Sequence, residues 1–225
     1  MLLYKKKFNN VYINLQEYLF FYIIVLGEEM YTISNNYKYE LIIKNSKFIT
    51  LLYKIDNEDM IKRILNDIKK EYPDATHYCY GYAINNIKKA SDDGEPSGTA
   101  GIPILKVIDT NDLTNLLVVV VRYFGGIKLG ANGLIRAYTK SVANAIKEVN
   151  LKQLVNGFNV NIIFNYNQIK DIDYLLKDID IIDKKFDDFV VYNCNISNDF
   201  ISILESKNIN YKINNEILIE KDILN

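Results

Sequence analysis

The sequence contains no tryptophan, and among its 225 residues there are only three prolines, three arginines, two cysteines and one histidine. Each shortage excludes something. Cys79 and Cys194 stand far apart, which excludes a disulfide scaffold and reads as two buried thiols of a cytoplasmic protein in a reducing compartment. One histidine and two cysteines at this spacing match no zinc pattern, so no metal is expected, and nothing calls for a cofactor. The apolar run at 18–26 has nine residues, too few to span a bilayer, so no membrane role is expected. No coiled coil or internal repeat is found. With 49% hydrophobic and 24% charged residues the chain is neither a disordered tail nor a fibre, and its length allows one or two domains with real cores.

Charge of one sign is also lacking. The 27 Lys+Arg and 28 Asp+Glu leave a net charge of −1, which excludes a strongly basic nucleic-acid binder as a description of the whole chain. The charge is uneven along the sequence. Residues 30–157 carry 17 basic and 13 acidic groups (+4), and residues 158–225 carry 7 and 12 (−5). The first part is the one suited to an anionic partner, although +4 is a weak field. The skew toward Ile, Asn, Lys and Tyr follows AT-rich codons, so the 18 tyrosines carry no argument for base stacking.

Residues 1–29 differ from the rest. Lys5, Lys6 and Lys7 precede the short apolar run, a pattern shared with signal peptides, but Val25-Leu26-Gly27 makes a poor cleavage site. Gly27-Glu28-Glu29-Met30 can be encoded as a purine-rich ribosome-binding sequence ahead of a start codon. Translation is therefore expected to begin at Met30, with 1–29 a non-native extension.

The remainder divides, by pattern, into units at 30–153 and 157–225. Residues 37–43 and 47–55 read as a hairpin turning at Asn45-Ser46. Asp56 or Asn57 caps a helix marked by Ile61, Ile64, Leu65, Ile68 and Tyr72 and ended by Pro73. In 76–84 three tyrosines alternate with Cys79, Gly81 and Ala83, a strand with one aromatic and one small face. A short helix with Pro103 in its first turn follows. The unbroken apolar run 116–121 reads as a strand buried on both faces. Leu134, Tyr138, Val142, Ile146 and Val149 mark a helix to about residue 150, with a small stripe of Ala137, Ser141 and Ala145. Gly157 opens the second unit, whose β-α-β-β-α-β order begins with a strand at 158–164 and is that of a ferredoxin-like split βαβ.

Seven of the ten glycines and two of the three arginines lie in 91–136. The loop Asp92-Asp93-Gly94-Glu95-Pro96-Ser97-Gly98-Thr99-Ala100-Gly101 forces a tight path. If Thr99 caps the helix that follows, the loop N–H groups form an anion-binding concavity; the alternative is a rigid loop with no ligand. The second segment runs Arg122-Tyr123-Phe124-Gly125-Gly126-Ile127-Lys128-Leu129-Gly130-Ala131-Asn132-Gly133-Leu134-Ile135-Arg136. Arg122 follows a buried run and needs a partner, so at least one of Asp92, Asp93 and Glu95 is expected to reach it. Lys128 and Arg136 flank the Gly-rich turn and suit a phosphate or an acidic protein surface; otherwise they are solvated charges.

The acidic loop, the second segment with its preceding valines, and His77-Tyr78-Cys79-Tyr80 closely resemble the IMPACT/YigZ family, over residue 30 to the end. Met30-Tyr31-Thr32-Ile33 resembles the start of bacterial members; Ala131-Asn132 departs from a family pattern that often has a small residue and glycine there. The resemblance implies an α+β protein. Its N-terminal domain would have a ribosomal-protein-S5-domain-2-like fold, as in domain IV of elongation factor G. Its C-terminal domain would be ferredoxin-like, as in domain V of that factor. It also implies a role in translation, since eukaryotic relatives act in translational control by interfering with activation of an initiation-factor kinase, although that kinase pathway is absent from bacteria.

Three function classes follow. The first is a non-enzymatic regulator binding RNA, the ribosome or a translation factor. The second is a phosphate- or nucleotide-binding enzyme using the Gly-rich loops, with Ser97 as nucleophile, Asp92, Asp93 or Glu95 as base and Arg122 stabilising charge; no Walker A motif or GxSxG elbow supports it. The third is a pure protein-interaction module. His77, at a strand start, reads as a hydrogen-bonding structural residue.

Overall fold

The computed structural model describes residues 6–8, 11–13, 29–84 and 86–223. Apart from a short backbone pair between β1 (Lys6–Phe8) and β2 (Val11–Ile13), the expectations for 1–28 lie outside the described residues.

The first sheet begins with β4 (Tyr37–Ile43) and β5 (Ser46–Lys54), antiparallel neighbours. Lys44 and Asn45 connect them with φ of 45° and 65°. Two left-handed residues match the twist of the strands they join. The turn thus sits one residue earlier than expected, and Ser46 is a buried strand residue. Helix α1 (Glu58–Glu71) is capped by Asn57, whose side chain accepts the Met60 N–H at 3.2 Å, and it ends at Tyr72, before Pro73. β6 (His77–Ile84) pairs with β7 (Ile87–Ser91), an edge strand that the pattern did not reveal because most of it is exposed. Helix α2 (Gly101–Thr110) carries Pro103 in its first turn as expected. β8 (Leu116–Tyr123) precedes helix α3 (Ala131–Glu148).

The strand order is β4-β5-β8-β6-β7, antiparallel throughout. β8 lies at the centre, and its residues alternate between two cores. Leu116, Val118 and Val120 join the core under α2 and α3, while Leu117, Val119 and Val121 join the core under α1. Burial on both sides is why this strand reads as a continuous apolar run. Cys79 and Ala83 of β6 face α2 and α3, and the stripe Ala137, Ser141 and Ala145 is buried beneath α3. Ser141 and Thr50 satisfy each other's hydroxyls at 2.6 Å.

The second sheet is built on β9 (Leu151–Phe164). Helix α4 (Ile169–Leu175), β10 (Ile181–Phe186), β11 (Val190–Ser197), helix α5 (Asn198–Ser206) and β12 (Asn210–Asp222) follow. The order β10-β11-β9-β12 is that of a split βαβ. Its core gathers Val160, Ile162, Phe164, Tyr192 and Leu204 against the helices. The chain is therefore α+β, with two mainly antiparallel sheets, as expected.

β9 departs from the sequence reading. It starts at Leu151, not at residue 158, and it runs through Gly157 without a turn. Its first residues pair with β3 (Met30–Ile33), Met30 opposite Leu154 and Ile33 opposite Leu151. Gly157 is there for close approach: a Cβ would lie 2.5 Å from the Ile196 carbonyl oxygen and collide with the Ile219 side chain.

Candidate functional site

The loop after β7 closes around the carboxylate of Asp92. Its Oδ1 accepts the N–H groups of Ala100 (2.9 Å) and Gly101 (2.8 Å), and its Oδ2 accepts that of Gly98 (2.8 Å). The loop N–H groups considered as an anion-binding concavity converge on the chain's own Asp92 carboxylate. Thr99 is not the cap; its hydroxyl donates to the Pro96 carbonyl at 2.6 Å. Gly101 must be glycine, because a Cβ would stand 2.7 Å from the Ser91 nitrogen. Asp93 is spent similarly. Its Oδ2 accepts the Tyr78 N–H at 2.7 Å, and its carbonyl lies 2.8 Å from His77 Nδ1. A carbonyl can only accept, so His77 carries its proton on Nδ1 and turns Nε2 toward Glu95 Oε2, 3.9 Å away.

Strand register brings the rest together. On β8, Arg122 lies between Phe48 of β5 and His77 of β6. Its guanidinium pairs through Nη1 with Glu95 Oε1 at 2.5 Å, and both side chains are about 95% buried, with exposures of 5% and 4%. Of the three candidate carboxylates, at least one of which was expected to reach Arg122, Glu95 is the one that does. Tyr138 of α3 donates to the same oxygen at 2.8 Å. The Cys79 thiol lies 2.9 Å from the Asp92 carbonyl and 3.2 Å from the Tyr138 hydroxyl. Arg122 Nη2 reaches Ser46 Oγ at 3.4 Å, and that oxygen also accepts the Gly125 N–H at 3.2 Å. The guanidinium carbon stands 5.4 Å from the Phe48 ring centre and 5.7 Å from that of Phe124.

Burial dominates the electrostatics. It pushes the Cys79 thiol up to about 12 and raises the Tyr138 hydroxyl well beyond the usual phenol range, with the neighbouring Cys79 and Glu95 adding to the latter. For Asp92 burial works in the same direction, but the N–H groups of Gly98, Gly101 and Ala100 outweigh it and hold the carboxyl below its ordinary value. A thiol and a phenol held protonated beside the Glu95–Arg122 pair make a rigid strut rather than a poised nucleophile.

Past this strut the chain turns outward. Phe124 and Ile127 are about half exposed, and Gly126 and Gly130 take φ of 81° and 70°. Lys128 on the turn and Arg136, Lys140 and Lys147 along α3 are exposed, and among the described residues none of them forms an ion pair. The structure thus gathers His77, Asp92, Asp93, Gly94, Glu95 and Arg122 at one corner of the sheet and leaves Lys128, Gly133 and Arg136 on the adjoining surface. Ser97 is exposed, and no hydrogen bond among the described residues joins it to Asp92, Asp93 or Glu95. The catalytic pairing considered from sequence is therefore not assembled here. Sequence reasoning missed Tyr138 and Ser46 as members of the cluster. A tyrosine on an otherwise apolar helix stripe was the available signal, because a buried hydroxyl needs a partner.

The whole cluster, from Ser46 to Tyr138, falls inside residues 44–146, the stretch matched by the family model for the Impact N-terminal domain. IMPACT family member YvyE of Bacillus subtilis (strain 168) is 38% identical over 159 residues, covering 66% of this chain and 73% of the relative. The chain belongs to the IMPACT family. IMPACT family member YigZ of Escherichia coli (strain K12) is 34% identical over 156 residues, 66% of this chain and 76% of the relative. A solved structure titled "Crystal structure of an hypothetical protein" superposes with a TM-score of 0.58 at 27% identity, covering 83% of this chain and 97% of that one. The IMPACT match covers the strut and the Gly-rich turn together. No helix among the described residues is long and apolar enough to cross a membrane.

Proposed function

We propose that this IMPACT-family chain is a translation-associated binding protein, with units at about 30–153 and 157–225, and that the Gly-rich turn and α3 of the first unit face RNA on the ribosome. The observation that carries the reading is the row Lys128, Arg136 and Lys140: exposed, without carboxylate partners among the described residues, and mounted beside a buried strut in which Glu95 holds both Arg122 and Tyr138. Cations without partners attract phosphate, and a rigid mount lowers the entropic cost of holding it. The translational setting comes from the family resemblance. The enzymatic reading is weaker, because Asp92, Asp93 and Glu95 are each engaged elsewhere and the N–H groups at the start of α2 are taken by Asp92.

Filter binding of the full chain to ribosomes and to ribosomal RNA tests this. Three phosphate contacts predict retention about 20- to 40-fold weaker at ~200 mM salt than at ~50 mM. The Lys128→Ala/Arg136→Ala/Lys140→Ala variant is expected to lose most of that salt dependence. Equal, negligible retention at both salt concentrations refutes the reading.

A further inference from the structure

We propose that Phe124 is a stacking platform for an unpaired base, so that the ligand of the basic face is single-stranded rather than duplex RNA. This rests on the function proposed above and adds the substrate class. Exposed phenylalanines are ordinarily loose surface groups, and this one is not. Its N–H donates to Thr76 Oγ1 at 3.0 Å, and the next residue's N–H is held by Ser46 Oγ at 3.2 Å. One side of its ring lies against the Arg122 guanidinium at 5.7 Å. That cation is itself fixed by Glu95 and has Phe48 at 5.4 Å, so one fixed guanidinium contacts both rings. Phe48 is fully buried and Phe124 is 46% exposed, so the second ring presents an open aromatic surface. A cation beneath the ring draws its electrons inward, which suits the outer face to an electron-rich purine.

The cations on the turn that follows this ring, and on the helix the turn leads into, decide the class of ligand. Lys128 follows four residues later, and Arg136 and Lys140 lie one turn apart on the exposed face of α3. An aromatic surface beside a cationic track is the arrangement that binds single strands, with bases on the ring and phosphates on the cations. A duplex keeps its bases stacked on one another and offers only phosphate, so it cannot use Phe124.

Fluorescence anisotropy with the full chain separates the possibilities, using an adenine-only RNA of about a dozen nucleotides and an RNA duplex of similar length. The single strand is expected to bind more tightly than the duplex despite its lower charge. Phe124→Ala is expected to weaken single-strand binding about 5- to 150-fold and leave duplex binding within about twofold. Phe124→Tyr is expected to bind like the parent, and Phe124→Leu, which keeps apolar bulk without a π face, to bind like Phe124→Ala. Thermal unfolding of each variant shows that the strut persists. If Arg136→Ala weakens binding but Phe124→Ala does not, stacking is wrong and the phosphate contacts remain. If Phe124→Leu binds like the parent, the ring is a plain apolar contact, as at a protein interface, and stacking is again wrong. If the unaltered chain binds neither RNA at ~50 mM salt, both this inference and the reading beneath it fall.

Discussion

Removing the Arg122 charge should be among the most damaging single changes in the chain. Arg122→Met keeps the length of the side chain and deletes the cation, leaving Glu95 with a 4% exposed carboxylate whose remaining hydrogen bond comes from Tyr138. An uncompensated buried charge of this kind costs about 3–5 kcal/mol. Glu95→Leu should cost a similar amount, because it strands the guanidinium between Phe48 and Phe124, where Nε already lacks a partner. The double variant removes both charges. Its main debt is the Tyr138 hydroxyl, which loses its acceptor, at about 1–2 kcal/mol. Sums of the single losses thus exceed the double loss by at least about 4 kcal/mol. Urea unfolding followed by circular dichroism measures this. With a slope of about 1–3 kcal/mol per molar urea, each single variant should lower the midpoint by about 1 M or more, and the double should recover most of it. Additive losses would refute the reasoning, because they would mean that the two charges are stabilised independently of each other.

Asp92→Asn keeps one acceptor oxygen but turns an amide donor toward an N–H now bound by the carboxylate, so a loss of about 1–3 kcal/mol is expected in thermal unfolding. The Asp92 carboxyl is held below its ordinary value in the folded chain, so its contribution is present above about pH 4 and is lost as the pH falls through the folded pKa. The Asn variant should lack that part of the acid sensitivity, and unchanged acid unfolding would count against the loop geometry. Cys79 and Cys194, pushed up to about 12 and about 11 from 9.0, should resist Ellman's reagent at about pH 8 until the chain unfolds. Because both pKa values are raised, the stability they contribute is full below about pH 8.5 and declines as the pH rises toward the folded values. Rapid labelling of either thiol in the native chain would contradict its burial.

Periodicity along the chain was enough for α1, α3 and the doubly buried β8, because each of these patterns is local: a helix face repeats every three to four residues and a strand face every two. A cap at Asp56 or Asn57 and the small stripe of α3 were legible for the same reason, and the structure places the cap at Asn57. The tight acidic loop was legible as a loop, but the assignment of its three carboxylates was not. Which one meets Arg122, which one closes the loop and which one holds β6 depends on the pairing of β6 with β8 and on how α3 docks across them. Those placements bring together residues 27 and 43 positions apart, Glu95 with Arg122 and with Tyr138. The same holds for Gly157, which reads as a break along the chain and is a contact point once β12 lies beside β9. Sequence by itself determined most of the elements, though not the exposed β7 or the true start of β9, together with the family and the segments that matter. Tertiary structure alone decided the partners, because a hydrogen bond between distant residues is set by register and docking, and neither leaves a periodic trace in the chain.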